Sequence, residues 1–467
     1  MGLGSLETLK LIEEHRYIID TLRHIDSTDY KSIADRVVYS WPTVKSTIDD
    51  LVKKNVLLDN KNSKLQRFFP NGSFAYFLGV AVGATECKTV ITRFNFEPIG
   101  KNTDDSDLFL SFKENLETVL GNSLSEDILC FKSICDNVEV QDICSIIIET
   151  ALDLFENDKK RNLVAIGVSL PGIIDKNNNE ISFCPNIPKF VAMPTSKILR
   201  SDLRERIASS KISYHLCHDT VAATVYEKEW LYNEENSERI NKDKPNLASI
   251  YMGYGLGCGF IFNNSLMLGA SGAVGELGHI PIIYNEIRID KNLSSELKNK
   301  EAKDKQRYEW IDEEGNEHIE NNIKFEEGEC ACGNASCLER LIRVKVFNSN
   351  NVDDFSLKTK SYLLKDFDQK HPYRYKVLKH LVAQMLCFIS NTLNVDLIVF
   401  SGRLLNGIPR LKRDMDGLLS KYSLTASIKY CHILDGSCKA DAVAIGASIM
   451  AYYNIRSDMS KSYYIDW

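Results

Sequence analysis

Apolar residues recur at roughly helical spacing between Leu6 and Ile25, which predicts an opening helix or a pair of helices. After a polar break, residues 30–37 predict a short second helix. Ser40-Trp41-Pro42 then predicts the start of a third helix, because serine caps helices and proline suits a first turn. Residues 56–69 predict a small hairpin. Three helices followed by a hairpin are typical of a winged helix-turn-helix domain, which we expect over residues 1–70.

The charge along this predicted domain indicates DNA binding. Between residues 41 and 70, six basic residues stand against three acidic ones. Positive charge therefore gathers on the third helix and the hairpin, where phosphates would lie. A helical dimerisation module with a solvated charged face is the alternative. The candidate groove contacts are Ser40, Trp41, Thr43, Lys45 and Ser46, and the candidate phosphate contacts are Lys64 and Arg67.

After residue 70 the pattern changes to alternating strands and helices. The predicted strands span 77–82, 89–94, 163–170, 248–251, 259–262 and 397–400, and the predicted helices 142–155, 197–209, 375–393 and 440–453. This alternation predicts an α/β architecture of two lobes, at 71–200 and 201–467, with the last helix returning to the first lobe. Residues 284–328 are charged and poor in apolar side chains, which predicts a surface insertion.

Composition narrows the class of protein. The chain has 467 residues, and its net charge of −7 gives no overall basic field, so a DNA contact must come from a local patch. Thirteen cysteines, an odd number without a framework spacing, argue for reduced thiols and a cytoplasmic location. The first residues lack the pattern of a signal peptide, and glycines interrupt the longest apolar stretch. We therefore expect no membrane partner.

Four residues have the spacing and chemistry of a metal site. His279 ends the segment Gly275-Glu-Leu-Gly-His, and three thiols follow downstream at Cys330, Cys332 and Cys337. Thiolate and imidazole ligands suit Zn²⁺, which adopts a closed tetrahedral shell where its role is structural. The alternative is a chance grouping in a cysteine-rich chain. Glu276 and Glu339 flank these ligands, so a metal-held loop would present two rigid acceptors suited to vicinal hydroxyls.

Two further segments have candidate binding chemistry. The run from Gly253 to Gly259 predicts a glycine turn between strands, where backbone amides can approach a ligand. The same run also suits a simple strand reversal. Asp219 follows a short predicted strand and begins a helix, and this position favours its ionised form. It is either a general base for a sugar hydroxyl or an N-cap, and the residues alone favour the N-cap.

Together these segments resemble the ROK family of bacterial sugar kinases and sugar-responsive transcription repressors. Residues 253–279 look like the family signature, and residues 330–339 look like its zinc motif. Residues 168–186 are similar to the strand and loop on the sugar side, and residues 64–80 to the join between wing and first lobe in the repressor branch. The resemblance implies an actin-like, hexokinase-type ATPase fold with two lobes, preceded here by the winged helix-turn-helix domain.

The resemblance also implies a role for each matching residue. His279 matches the position that both ligates zinc and contacts sugar, and the three cysteines of the zinc motif match the other ligands. Asp219 matches the catalytic base of the family kinases. The implied sugar-binding residues are Asn186, His218, Asp219, Glu276, His279 and Glu339. His218 stands where the family has asparagine, which leaves the identity of the sugar open.

The other departures from the family pattern fall on the nucleotide side. Family kinases begin with an Asp-x-Gly-Gly-Thr turn that handles Mg²⁺ and phosphates, and here Ala81 takes the place of the aspartate. This loss should cripple phosphoryl transfer, which depends on positioning and charge neutralisation. Tyr254 replaces the threonine of the glycine turn, and Ser401 replaces one glycine of a Gly-Gly pair. The vestigial nucleotide site comprises Gly83, Thr85, Gly253, Gly255, Gly257 and Gly402.

We therefore predict a sugar-responsive transcriptional regulator, a repressor, that binds a double-stranded DNA operator and a sugar or sugar phosphate. Structural Zn²⁺ is the expected cofactor, ATP and Mg²⁺ are not expected, and the expected assembly is a homodimer or a dimer of dimers. An ATP-dependent kinase for a hexose or an N-acetylated amino sugar is the alternative, which Asp219 and the sugar-side carboxylates support. A degenerate scaffold that binds neither sugar nor DNA is the third hypothesis.

Overall fold

The computed structural model divides into two compact units. The first comprises residues 1–243, 268–273 and 440–467, and the second residues 244–267 and 274–439. The structure describes residues 5–24, 30–37, 39–60, 67–83, 86–120, 124, 129–132, 140–158, 160–175, 177–184, 187–233, 246–253, 255–282, 307–311, 317–321, 330, 332–334, 337–347, 364, 366–402, 404, 407–437 and 441–455.

The N-terminal domain has three helices followed by a hairpin, in the order that the sequence predicts. Its elements are α1 (Ser5–His24), α2 (Tyr30–Arg36), α3 (Trp41–Lys53), β1 (Leu57–Asn60) and β2 (Arg67–Pro70). The two strands pair antiparallel, with Asn60 opposite Arg67. Helix α3 buries Val44, Ile48 and Leu51, which recur every three or four residues. One face of α3 therefore packs inward and the opposite face is exposed.

Ser40 fixes the start of α3, because its Oγ accepts a hydrogen bond from the Thr43 N–H at 3.4 Å. We expect Ser40→Ala to lower the free energy of unfolding by about 1 kcal/mol, since an N–H at the helix start loses its acceptor. Ser46→Ala, on the exposed face of the same helix, should change it by less than about 0.5 kcal/mol. Urea denaturation measures both variants, and equal losses would contradict the capping role.

The first unit is built on a five-stranded sheet. Its elements are β3 (Tyr76–Val82), β4 (Glu86–Arg93), α4 (Ser106–Leu120), β5 (Leu129–Lys132), α5 (Val140–Asn157), β6 (Leu163–Leu170), β7 (Ile173–Asp175), β8 (Glu180–Phe183), β9 (Met193–Pro194), α6 (Ser201–Ser209), β10 (Ser213–His218) and α7 (Asp219–Asn233), with α13 (Ala442–Tyr453) from the far end of the chain. The strand order is β10-β6-β3-β4-β5, in which β3, β6 and β10 are parallel. Strand β6 is buried along its whole length, as expected for a central parallel strand.

Helix α13 lies in direct backbone contact with its neighbours. A methyl group on Gly167 of β6 would be 1.8 Å from the carbonyl oxygen of Ala447 in α13. A methyl group on Gly446 of α13 would be 1.9 Å from the carbonyl oxygen of Ala222 in α7. Glycine at these two positions therefore permits a close approach of strand to helix and of helix to helix.

The second unit is built on another five-stranded sheet, in the order β13-β12-β11-β16-β17 once its elements are numbered along the chain. These elements are β11 (Leu247–Met252), β12 (Leu256–Phe262), β13 (Ser265–Met267), β14 (Arg307–Ile311), β15 (Glu317–Asn321), α8 (Leu338–Leu341), α9 (Phe367–Lys370), α10 (Pro372–Leu393), β16 (Leu397–Ser401), α11 (Pro409–Tyr422), α12 (Thr425–Ile428) and β17 (His432–Asp435). Strand β11 pairs antiparallel with β12 and parallel with β16. Helix α10 supplies many of the residues of the core of this unit.

Parts of the observed structure differ from the sequence predictions, and several elements, α4 among them, were not predicted. The predicted helix at 197–209 begins at Ser201, because residues 195–197 form a separate 3-10 turn. Strand β10 joins the first sheet, so the chain beyond the predicted boundary at residue 200 continues in the first unit. The described part of the predicted insertion is the antiparallel hairpin of β14 and β15. Within the described ranges, no helix has the length and apolar character needed to cross a membrane.

Candidate functional site

Four residues of the second unit converge as a candidate metal site. The ligand atoms of His279, Cys330, Cys332 and Cys337 all lie within 4.8 Å of one another. The Cys330 Sγ is 3.4 Å from the His279 Nδ1, and the Cys332 Sγ is 3.3 Å from the Cys337 Sγ. Ligands at about 2.0–2.3 Å from a tetrahedral ion lie about 3.3–3.8 Å from one another, so the spacing and the donor set fit one metal ion.

Metal binding would displace protons from this cluster, because an imidazole ligates in its neutral form and a thiol as its thiolate, and burial raises the pKa of Cys337 to about 12. A hydrogen bond with Cys330 raises the pKa of His279 to about 9, and the charges of Glu339 and Glu276 act in the same direction against burial. Burial would raise the pKa of Cys332, but hydrogen bonds from its neighbours, first the Asn334 N–H, outweigh it and lower this pKa to about 7. The thiolate is the form that ligates metals, so Cys332 is available as a ligand near neutral pH.

The two ring nitrogens of His279 face different partners. Nδ1 lies toward Cys330, and Nε2 lies 3.7 Å from the Glu276 Oε2. A carboxylate behind a ligating imidazole orients the ring and makes it a more basic ligand. Glu276 is therefore placed both to orient His279 and to present its carboxylate to a bound molecule.

Glu339 connects the candidate metal site to the glycine turn. Its Oε2 accepts a hydrogen bond from the Leu256 N–H at 2.8 Å, across 83 positions of sequence. A methyl group on Gly255 would be 2.8 Å from the same oxygen, and one on Gly278 would be 3.3 Å from it. These two glycines therefore make room for the carboxylate. The sequence prediction placed Gly255 in a nucleotide site and missed this contact.

Asp219 begins α7 directly after β10 in the first unit. Its Oδ1 lies 3.3 Å from the His218 Nε2, and the His218 Nδ1 is 2.9 Å from the Thr220 Oγ1. Burial raises the pKa of Asp219, and His218 and the Thr220 N–H partly offset this rise. The Asp219 side chain remains 29% exposed, so one carboxylate can accept a hydrogen bond from a ligand while His218 orients it.

The predicted sugar-binding residues divide between the two units. His218 and Asp219 lie in the first unit, and Glu276, His279 and Glu339 lie in the second. Asn186 lies outside the described residues. Within the second unit, Glu276 and Glu339 are both tied to the candidate metal loop, as their sequence positions predict.

The position that the family kinases fill with aspartate is apolar here. Ala81 lies in β3, opposite Lys88 of β4 and Ser169 of β6. The Lys88 Nζ is 2.9 Å from the Glu86 Oε1. The cross-strand partner of Ala81 is thus a lysine, which has no affinity for Mg²⁺.

The glycines of the predicted vestigial nucleotide site have different structural roles. The Gly253 N–H donates to the Gly255 carbonyl at 3.0 Å and closes the turn, whereas Gly257 lies in β12 opposite Tyr251. Gly402 has a φ of +105, and a methyl group there would be 2.5 Å from the Met252 carbonyl oxygen. The Gly83 N–H donates to the Glu86 carbonyl at 2.8 Å, and Thr85 lies outside the described residues.

The candidate DNA contacts lie near the start and on the outer face of α3. Trp41 is 47% exposed, and Thr43 and Ser46 are also exposed. The Lys45 Nζ pairs with Asp49 at 3.1 Å and lies 5.1 Å from the ring centre of Tyr30. Lys45 is therefore held close to α3, and a phosphate would have to compete with Asp49 for it. Of the two wing candidates, Arg67 lies in β2 and Lys64 lies outside the described residues.

Comparison with known proteins decides the family. The ROK family profile matches residues 137–453, well over half of the 467 residues. The chain belongs to the ROK family. A solved ROK family transcriptional regulator, a homologue of the E. coli MLC protein, covers 94% of this chain and 97% of its own with a TM-score of 0.57 at 14% identity. At that identity the likeness shows the fold, and it confirms the predicted actin-like fold preceded by a winged-helix domain.

Among curated relatives, a putative xylose repressor from Caldicellulosiruptor sp. is 22% identical over 290 residues, which are 61% of this chain and 60% of that protein. The DNA-binding transcriptional dual regulator NagC of Escherichia coli K12 is 29% identical over 124 residues, 27% of each chain. The matched region thus spans 60% or less of these ROK relatives. Their activities therefore bear on this chain only as support for a proposal.

Proposed function

We propose that this ROK protein is a sugar-responsive transcriptional repressor that binds an operator through residues 1–70. The observation that carries the proposal is a winged-helix domain with an exposed third helix, joined to a ROK domain. The relatives with repressor and regulator names agree with it. Trp41, Thr43 and Ser46 would reach base edges in the major groove, and Arg67 and Lys64 would contact phosphates.

The proposed sugar-binding residues are Glu276, Glu339 and His279 beside the metal loop of the second unit, and Asp219 and His218 of the first unit. Their carboxylates can accept, and their imidazoles can donate, the hydrogen bonds that sugar hydroxyls make. One carboxylate oxygen of Glu339 already accepts a hydrogen bond from the Leu256 N–H. This bond fixes the direction in which the second carboxylate oxygen points. Asn186 stays a candidate sugar-binding residue.

The metal of the candidate site would be zinc with a structural role. Three thiols and one imidazole form a complete soft donor set, which prefers Zn²⁺ over Mg²⁺ or Ca²⁺. All four positions of a tetrahedral ion would be filled by protein, which is the mark of a structural rather than a catalytic site. The ion would hold Glu276 and Glu339 in fixed positions, since one directly precedes the 3-10 turn of His279 and the other lies in the helix after Cys337.

The second candidate function is an ATP-dependent sugar kinase. The raised pKa of Asp219, caused first by burial, suits a general base, and this favours the kinase. Ala81 opposite Lys88 argues against it, because Mg²⁺ loses its carboxylate. We expect no ATP turnover with any hexose, with or without Mg²⁺. Turnover that Asp219→Asn abolishes would establish the kinase.

The test of the repressor is a pair of binding measurements on the full chain. A duplex is first selected from random DNA by retention on the protein. The thermal midpoint is then measured with D-xylose, glucose, N-acetylglucosamine and N-acetylglucosamine 6-phosphate, each with and without Mg-ATP. We expect one sugar, and not nucleotide, to stabilise the protein, by about 2.7 kcal/mol at a hundredfold excess over its Kd. The same sugar should change the affinity for the selected duplex by about 5–150-fold.

A matched control separates DNA recognition from non-specific charge. Ser46→Ala lies on the exposed face of α3, and Lys421→Ala lies in α11 of the second unit. A loss of DNA selectivity in Ser46→Ala but not in Lys421→Ala supports the assignment of this face of α3 to DNA binding. The proposal fails if no duplex is enriched or if no sugar alters retention of the selected duplex.

A further inference from the structure

Helix α7 has two carboxylates that are relevant to function, Asp219 and Glu229. Asp219 is its first residue, and Glu229 lies ten positions later, about 15 Å along the helix axis. The side chain of Glu229 is only 3% exposed. A carboxylate buried to this extent needs partners that compensate the loss of water. Asp219 belongs to the proposed sugar site, whereas Glu229 has no part in it.

The partners of Glu229 come from three different helices. The His24 Nε2 of α1 lies 3.2 Å from its Oε2, and the Tyr453 hydroxyl of α13 donates to its Oε1 at 2.7 Å. The Lys228 Nζ lies 3.6 Å from the same Oε1. Burial would raise the pKa of Glu229, but His24, Lys228 and Tyr453 outweigh it and lower this pKa. Glu229 is therefore a carboxylate shared by α1, α7 and α13.

The rest of α1 is tied to the same lobe by polar bonds to backbone and side chains. The Arg23 Nη1 donates to the Phe94 carbonyl at 2.7 Å, and its guanidinium lies 3.7 Å from the ring centre of Phe96. The Tyr452 hydroxyl donates to Asp20 at 2.7 Å. Nearer the start of α1, Arg16 donates to the carbonyl of Tyr453, the last residue of α13, and to that of Ile455. We call this contact the α1 joint and define it by Arg16, Asp20, Arg23, His24, Glu229, Tyr452 and Tyr453.

Helix α1 also contacts the DNA-binding elements, so the α1 joint has two sides. Helix α1 packs on β2 and α2 of the N-terminal domain and on β6 of the sheet. Its Leu9, Ile12 and Ile19 are fully buried. A displacement of α1 relative to the lobe would therefore displace the domain that carries α3.

Asp219 is connected to α1 through helices α7 and α13, which pack closely against each other. Helices α7 and α13 touch through backbone at Ala222 and Gly446, three positions from Asp219. Such contacts leave little room for the two helices to slide separately. A change in the position of Asp219 on sugar binding would therefore reach Glu229 and Tyr453 together, and through them His24.

We propose that Glu229 is a positioning residue that couples the sugar site to the DNA-binding domain by holding the C-terminal end of α1 through His24. The proposal rests on the proposed function, because it gives that function its mechanical connection. Buried ion pairs contribute little net stability compared with apolar packing, but they define one geometry and fail when a partner moves. This is the property that a coupling contact requires.

The test compares the ratio of DNA affinities with and without sugar in four proteins. The sugar is the one that stabilises the wild type most, chosen among D-xylose, glucose, N-acetylglucosamine and N-acetylglucosamine 6-phosphate. Glu229→Gln keeps an acceptor for Tyr453 but removes the charge facing His24. We expect its ratio to fall from about 5–150-fold to within about twofold of unity. His24→Gln, at a side chain that is 16% exposed, should give the same result with less risk to folding.

The fourth protein is a matched control, Glu149→Gln, which removes a carboxylate of the same lobe from an exposed pair with Arg200 at 2.9 Å. Its ratio should equal that of the wild type. A merely structural role of Glu229 would weaken DNA binding equally in both conditions and leave the ratio unchanged, which would overturn the inference alone. A wild type whose DNA affinity does not respond to any of the four sugars would overturn the proposed function and the inference with it.

Discussion

Replacing Cys332 with serine is expected to abolish the zinc binding that we propose for this cluster and to lower the melting temperature of the second unit. The hydroxyl of serine ionises far less readily than a thiol whose pKa is lowered to about 7, so the fourth ligand is lost. A ligand present at a thousandfold excess over its Kd contributes about 4.1 kcal/mol, which corresponds to roughly 10 °C for a unit of this size. Atomic emission measures the zinc content, and calorimetry measures the melting temperature.

Cys387→Ser is the matched control for this experiment. Cys387 is a partly exposed thiol of the same unit, and its Sγ lies 3.0 Å from the Tyr422 carbonyl oxygen in α11. The control should retain about one zinc per chain and nearly the wild-type melting temperature. Cys332→Ser with full zinc content would show that the three thiols and the imidazole are not a metal site. A wild type purified without metal, and unmoved by added Zn²⁺, would lead to the same conclusion.

Local patterns in the sequence predicted the elements that local chemistry fixes. Strand β6 occupies Leu163–Leu170 as predicted, because a run of eight residues with six apolar side chains, followed by Pro171-Gly172, favours a buried strand. The start of α3 at Trp41 follows from the cap at Ser40 and from Pro42 in the first turn. Helix α4 is absent from the predicted elements, although Leu108, Phe112 and Leu116 recur at helical spacing and are buried. That signal was present in the sequence and was missed.

The site was predictable where a motif is contiguous and not where the contacts span the chain. The cluster of His279 and the three cysteines followed from spacing and ligand chemistry, and the geometry brings all four together. The hydrogen bond from the Leu256 N–H to Glu339 spans 83 positions, and the His24 to Glu229 pair joins helices that no motif connects. Only the fold places such residues side by side. For Arg67, the structure contains the strand that the sequence predicts, whereas the predicted contact with DNA stays a prediction.

Gly167→Ala is expected to cost about 4 kcal/mol or more of folding free energy, because the new methyl group would lie 1.8 Å from the Ala447 carbonyl oxygen and 2.5 Å from its carbon. Both obstacles are backbone atoms of α13, so no side chain can rotate away, and the helix or the central strand must shift. Calorimetry on the full chain measures the loss. Gly417→Ala is the matched control, since a methyl group there meets nothing within 4 Å on α11. Alanine favours a helix over glycine, so this control should gain about 0.5–1 kcal/mol. A Gly167→Ala protein as stable as the wild type would mean that α13 does not lie in backbone contact with β6.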